Sequence, residues 1–227
     1  MKNDVVRVST GSKPLDNLLN GGIEADCITE VYGEGGCGKT TLCLLLSKTV
    51  ALSGKRVMYI DTEGVSLERL RQISGDEFDN VLRNIVFSRP YSLEMQAKVI
   101  NDCVRVVEAE GGDVGLVVVD SATIHYRLEF TEESRIEDVH ALYSQMVSLQ
   151  GIARKHKIPV VVTAHVYMDT SANRLRPIAE YVIGRLAKTI LLIERVEGSK
   201  RKAVIVKHRS LPEGRYVEFN ITHSGFE

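Results

Sequence analysis

The sequence predicts an α/β fold: a mostly parallel sheet flanked by helices, with an antiparallel extension at its C-terminal side. Three observations carry this expectation. Short β-branched runs alternate with longer helical stretches, the rhythm of a parallel sheet covered on both faces. Val117–Val119 and Val160–Val162 are continuously apolar, as strands buried on both sides must be. After Thr163 the rhythm changes to three runs joined by short links, which favour hairpins over crossovers.

Taken in order, the strands are expected at Ile28–Tyr32, Arg56–Ile60, Ile85–Ser88, Leu116–Val119 and Ile158–Thr163. Helical patterns cover Lys39–Leu52, Ser66–Ile73, Leu93–Glu110 and Glu132–His156. The extension is Thr189–Glu194, Lys202–Lys207 and Tyr216–Ile221, linked by Arg195–Arg201 and His208–Arg215. No repeat, low-complexity tract or Pro/Ser linker interrupts this pattern, so residues 1–227 are expected to form one domain.

Composition bounds the function. With 44% hydrophobic and 26% charged residues the chain is an ordinary globule that needs no disulfide or metal staple. It has no 18-residue apolar run and no apolar signal core after Met1, so a cytoplasmic location is expected. Cys27, Cys37, Cys43 and Cys103 form no C-x-x-C pair and have no His spaced to complete a zinc site; they read as free thiols. The net charge of -1 conceals an asymmetry. Residues 1–150 carry 15 Lys and Arg against 23 Asp and Glu, whereas residues 151–227 carry 14 against 7. The basic third suits a polyanion, or else protects strand edges from pairing.

Gly33-Glu34-Gly35-Gly36-Cys37-Gly38-Lys39-Thr40 matches G-x-x-x-x-G-K-[ST] between a strand and a helix. The glycines let backbone wrap a polyphosphate at a helix N-terminus. Lys39 is expected to reach the β- and γ-phosphates of ATP, Thr40 to ligate Mg²⁺, and Thr41 to add a phosphate contact. Leu116-Val-Val-Val-Asp120 brings a carboxylate to the same sheet edge, where Asp120 holds the magnesium or, alternatively, caps a helix. Met58-Tyr-Ile-Asp61-Thr-Glu63 delivers two more acids. Glu63 has the reach of a general base for an attacking water; its alternative is an ion pair with Arg69 or Arg71. Asp61 is expected to cap the next turn or support the magnesium shell.

With these motifs in order, the chain resembles the RecA/RadA recombinase ATPase core over nearly its whole length. Ser9-Thr-Gly-Ser-Lys-Pro-Leu-Asp-Asn-Leu-Leu-Asn-Gly-Gly-Ile23 is similar to the opening of that core, Tyr59-Ile-Asp-Thr-Glu-Gly64 to its strand with the catalytic glutamate, and Val119-Asp-Ser121 to its Walker B segment. Leu211-Pro-Glu-Gly and Phe219-Asn-Ile-Thr follow its tail. Two departures matter. The core begins within about ten residues of Met1, where RadA-type proteins carry a helical DNA-binding domain. No Phe-x-x-Ala, the motif that docks protomers into filaments, occurs anywhere in the chain. The chain thus looks like the short archaeal RadB branch of the family. That resemblance implies ATP and DNA binding, weak Mg²⁺-dependent ATPase, no strand exchange of its own, and a supporting role in recombination and DNA repair. It also implies RadA recombinase and a Holliday-junction resolvase as partners.

In this family two loops decide DNA contact. The first, Arg127–Asp138, has two bases against five acids and is a poor phosphate contact. The second, from Val166 to about Pro177, holds Arg174 and Arg176, with Arg185 and Lys188 following and Tyr167 available to stack on a base. These four bases are the expected DNA contacts. Where RadA has Gly-Gly after this Arg-Pro, the chain has Ala179-Glu180. His165 stands where the family usually places a γ-phosphate-sensing Gln; an imidazole keeps the hydrogen bond, or simply packs. Lys207 and Arg209 resemble the Lys-x-Arg pair of KaiC-type relatives that reaches a neighbour's ATP, or are exposed strand-end bases. Two other readings stay open: a KaiC-like regulatory ATPase acting on protein, and a non-hydrolysing ATP-dependent adaptor.

Overall fold

The structure, a computed structural model, describes residues 5–110, 112–129 and 135–227. The chain starts with β1 (Arg7–Val8), α1 (Lys13–Leu18) and β2 (Ile23–Glu24), the two strands pairing antiparallel. Next come β3 (Ile28–Tyr32), α2 (Lys39–Leu52), β4 (Arg56–Asp61), α3 (Leu67–Ser74), α4 (Phe78–Arg83) and β5 (Ile85–Ser88). They are followed by α5 (Leu93–Glu110), β6 (Val114–Asp120), α6 (Ile124–Glu129), α7 (Arg135–His156) and β7 (Val160–Ala164). The C-terminal part holds β8 (Val166–Asp169), β9 (Arg174–Pro177), α8 (Glu180–Leu186), β10 (Thr189–Arg195), β11 (Lys200–Lys207) and β12 (Tyr216–Asn220).

Eight strands form one sheet in the order β12-β11-β10-β3-β7-β6-β4-β5. From β10 through β5 every neighbour is parallel; β11 and β12 add antiparallel, as the short links require. Alternate strand residues feed two apolar layers. On one face Val31, Tyr59, Val118 and Val161 pack with α2, α3 and α4. On the other, Ile28, Ile60, Val117 and Val162 pack with α5, α7 and α8. α2 buries Leu42, Cys43, Leu44, Leu45 and Leu46 in succession, so it is apolar all round, as a helix enclosed by the protein must be. All four cysteines are free and buried; burial pushes the Cys27 and Cys103 thiols up to about 12, which keeps them protonated and inert.

Several boundaries and short elements differ from the sequence expectation; β10 and β11 extend into the expected link, pairing Arg195↔Arg201, because the hairpin turn is shorter than the sequence implied. β4 and β6 run one residue further than expected, because parallel pairing continues to Asp61↔Asp120. Both acids therefore sit on the last rung of the ladder. The second loop is a hairpin, β8 paired with β9 from Val166↔Pro177 to Asp169↔Arg174. It lacks a buried face, so no apolar alternation marks it in sequence. α4 and α8, of 6 and 7 residues, are too short for a helical period to register.

β3 also buries a charge-capable group. Glu30 is fully buried and neither carboxylate oxygen has a hydrogen-bond partner among the described residues. Burial raises its pKa to about 8; the Glu180 charge adds to the shift and Lys207 opposes it. Above its ordinary value of 4.5 the unfolded chain loses this proton while the native state retains it up to about 8. The stability linked to Glu30 is therefore fully present below pH 4.5 and is lost as pH rises through about 8. Glu30→Gln should flatten that decline, checked by urea midpoints at intervals between about pH 5 and pH 8. A slope identical to that of the parent chain would show that Glu30 does not hold a proton.

Candidate functional site

The phosphate-binding loop starts where β3 ends. At Gly33 (φ 155°) an added Cβ would lie against the Ile193 carbonyl oxygen of β10, and Gly38 (φ 115°) caps α2 in a left-handed conformation. Lys39 is buried, and its Nζ donates to the Gly33 and Glu34 carbonyl oxygens at 2.9 and 3.1 Å. A lysine folded onto its own loop is a buried cation held by that loop's carbonyls. Cys37 is enclosed, its thiol raised by burial with Lys39 opposing, and Glu34 to Gly36 are exposed at the loop tip.

Asp120 ends β6 with no exposed surface. Its carboxylate accepts hydrogen bonds from Thr163 Oγ1 at 2.6 Å and Tyr59 Oη at 2.8 Å, and the nearby Thr40 hydroxyl also favours its charged form. Burial raises its pKa, and the three hydroxyls resist that rise. It caps no helix. Thr40 and Asp120 thus present a hydroxyl and a carboxylate side by side, the oxygen donor set that a hard divalent cation takes. Among the described residues no cluster of three His, Cys, Asp or Glu competes with it as a metal site.

Asp61 and Glu63 divide their labour. The two oxygens of Asp61 accept the Gly64 and Val65 amides at 2.8 and 2.9 Å, and Arg89 Nε binds it at 3.0 Å. Asp61 therefore caps the turn that carries Glu63, one of its two expected roles. Glu63 does not pair with Arg69, whose guanidinium donates to Gln72 and to the Thr222 and His223 carbonyls. Glu63 Oε1 instead lies 3.3 Å from His165 Nε2, just beyond β7. On the far side of the ring, His165 Nδ1 lies 3.2 Å from Ser121 Oγ and 3.4 Å from Thr123 Oγ1. Burial lowers the His165 pKa below its ordinary value, with the Lys39 and Arg127 charges adding to the effect and Glu63 opposing it. Burial thus favours the neutral ring. Once Nδ1 takes a hydroxyl proton, Nε2 carries the hydrogen and offers it to Glu63.

Comparison with known proteins agrees with this geometry. The model of the family described as Rad51 matches residues 1–227. The chain belongs to the Rad51 family. It is 38% identical to the DNA repair and recombination protein RadB of Methanococcoides burtonii, over 99% of both chains. It is 40% identical to the protein of that name from Archaeoglobus fulgidus, over 97% of both, and 41% identical to that of Thermococcus gammatolerans, over 97% and 98%. A solved structure titled "Crystal structure of the RadB recombinase" matches with a TM-score of 0.82 and 38% identity, covering 97% of this chain and 98% of that one. Rad51-family cores are P-loop ATPases built on this mostly parallel sheet, and the resemblance to the RadB branch holds over the full chain. No described helix is long and apolar enough to cross a membrane.

Relative to this Rad51-family core, the basic residues fall into two groups. Arg174 and Arg185 are exposed and Lys188 is half-buried; none has a carboxylate partner among the described residues. Arg176 is committed within the chain, to Asp169 at 2.7 Å and Glu180 at 3.2 Å. Beside the hairpin runs a groove of about 820 Å³ lined by Tyr126, Arg127, Tyr167, Pro177 and Tyr181. Ala179, in the place of a family glycine, adopts φ 60° and starts α8, a backbone shape that glycine takes without strain. Of the first loop, Phe130–Ser134 lies outside the described residues. Lys207 and Arg209 are also engaged within the chain. Lys207 Nζ donates to the Gly184 and Ala187 carbonyls at 2.7 and 2.9 Å, and Arg209 pairs with Glu24 and Asp26.

Sequence reasoning missed Tyr59, Thr163, Arg89, Arg195 and Arg201. Thr163 had a signal, a hydroxyl interrupting the apolar Val160–Val162 run at the sheet edge. The others are brought to the site by pairing and packing alone. Tyr59→Phe leaves a buried carboxylate oxygen of Asp120 without its donor and should cost about 1–3 kcal/mol. The loss should shrink in acid, where Asp120 takes a proton; urea titrations at neutral and acid pH measure both. Equal stability of Tyr59→Phe and the parent at neutral pH would contradict this account.

Proposed function

We propose that this chain is an ATP-binding and DNA-binding recombinase paralogue with weak ATPase activity, assisting homologous recombination and DNA repair without performing strand exchange itself. One observation carries the reading: Lys39, the Thr40–Asp120 pair and the Glu63–His165 pair meet at one edge of the sheet. Lys39 exchanges its loop carbonyls for the β- and γ-phosphates. Thr40 and Asp120 hold Mg²⁺, which when bound supplies Lewis-acid neutralisation of phosphate charge. Glu63 accepts the proton of the attacking water. Neutral His165 orients Glu63 but also occupies one of its oxygens, which supports slow turnover. The lack of Phe-x-x-Ala supports the absence of autonomous filament formation.

For DNA, the uncommitted cations Arg174, Arg185 and Lys188 support a small phosphate-contacting surface, and the adjoining tyrosines support stacking of unpaired bases. Arg176 carries less weight, because two carboxylates already neutralise it.

Glu63→Gln should retain ATP affinity while turnover falls by about 10²–10⁴, measured by phosphate release beside equilibrium nucleotide titration. Lys39→Ala should abolish the ATP-induced stabilisation, which is about 2.7 kcal/mol at ATP one hundred times the dissociation constant. Turnover of Glu63→Gln at the parental rate would place the base elsewhere. For single-stranded DNA, three contacts give log K against log salt a slope near about -2.1, from about -0.7 each. Arg174→Ala should flatten it by about 0.7 in fluorescence-anisotropy titrations. An unchanged slope would remove Arg174 from the interface.

A further inference from the structure

β10 pairs with β3 as far as Leu192↔Tyr32 and then runs on through Ile193–Arg195 beside the phosphate-binding loop. At its end Arg195 Nη2 donates to the Gly35 carbonyl oxygen at 2.7 Å, and a Cβ on Gly36 (φ 69°) would strike that guanidinium. Arg201 of β11 is buried and donates to the Gly36 carbonyl oxygen at 3.4 Å, and to the Gly198 and Lys200 carbonyls at 2.8 and 2.9 Å. With Lys39 on Gly33 and Glu34, four consecutive loop carbonyls are held by three cations.

The two arginines are direct cross-strand partners, Arg195↔Arg201, an arrangement that repels in a bare hairpin. Neither has a carboxylate partner among the described residues. Glu194, next to Arg195, pairs with Lys202. Two like charges thus lie together over a glycine-rich loop with only carbonyl dipoles to offset them. A trans peptide unit that offers its carbonyl to one side turns the following N–H to the other. An arginine drawing Gly35 O outward therefore aligns the Gly36 amide inward; the Cys37 amide is used within the loop, donating to the Glu34 carbonyl oxygen at 3.2 Å.

We propose that Arg195 and Arg201 are positioning residues for the nucleotide: Arg195 sets the Gly36 amide for phosphate binding, and the polyphosphate is the counterion that the paired charges lack among the described residues. The inference rests on the ATP-binding reading. Because the effect is one of charge, it grows with phosphate number. Arg195, exposed and outside the Walker motif, is the residue to change.

The experiment titrates ATP and ADP, each with Mg²⁺, against the full chain carrying Arg195→Ala, Arg195→Lys or no change, at low and high salt. Arg195→Ala is expected to weaken ATP by about tenfold and ADP by less, with the difference shrinking at high salt. Arg195→Lys should recover most of the ATP affinity, and the nucleotide-free melting temperature should be unchanged in both variants. Equal losses for ATP and ADP, or Arg195→Lys behaving like Arg195→Ala, would overturn the charge role. Parental affinities in Arg195→Ala would overturn the whole proposal. Failure of the unchanged chain to bind either nucleotide would mark the ATP reading itself as wrong, and this inference would fall with it.

Discussion

One buried carboxylate ties the site together. Asp120, at the end of β6, accepts hydrogen bonds from Tyr59 on β4 and Thr163 on β7, and the nearby Thr40 hydroxyl at the start of α2 favours its charged form. An unpaired carboxylate in such a place would be prohibitive, so the three hydroxyls are a condition of its burial. They also fix where three different segments end relative to one another. Because β4, β6 and β7 are parallel neighbours, their C-terminal ends lie at one edge, and Asp120 clasps that edge from within.

Around this clasp the remaining charged groups sort by what they hold. Asp61 spends both oxygens on the Gly64 and Val65 amides, which leaves Glu63 projecting from a capped turn toward His165. The imidazole in turn has Ser121 and Thr123 behind it, on the segment that follows Asp120. Asp120 and Glu63 are therefore supported by one continuous stretch of chain.

The cations follow a similar division. Arg176, Lys207 and Arg209 close hairpins, cap α8 and hold the N-terminal strand pair, so the basic excess of the C-terminal third is partly structural. Among the described residues Arg174, Arg185 and Lys188 are left without carboxylates, and Arg195 with Arg201 face the phosphate loop. A charge count over the sequence cannot separate these groups, because a committed arginine and an uncommitted one contribute the same formal charge.

By itself the sequence determined the parallel core, the antiparallel extension, the phosphate loop at Gly33–Thr40 and the acids Asp61, Glu63 and Asp120. These are local signals: a β-branched run, a helical period and a glycine pattern each fit within a single element. The tertiary structure decided which groups meet. That Glu63 faces His165 rather than Arg69, and that Asp120 takes Tyr59 and Thr163 as partners, depends on strands distant in sequence lying side by side. The β8–β9 hairpin was hidden for a related reason: it buries no face, so it left no period to read. Arg195 reaches the phosphate loop because β10 pairs with β3 in one register, and register is a property of the assembled sheet.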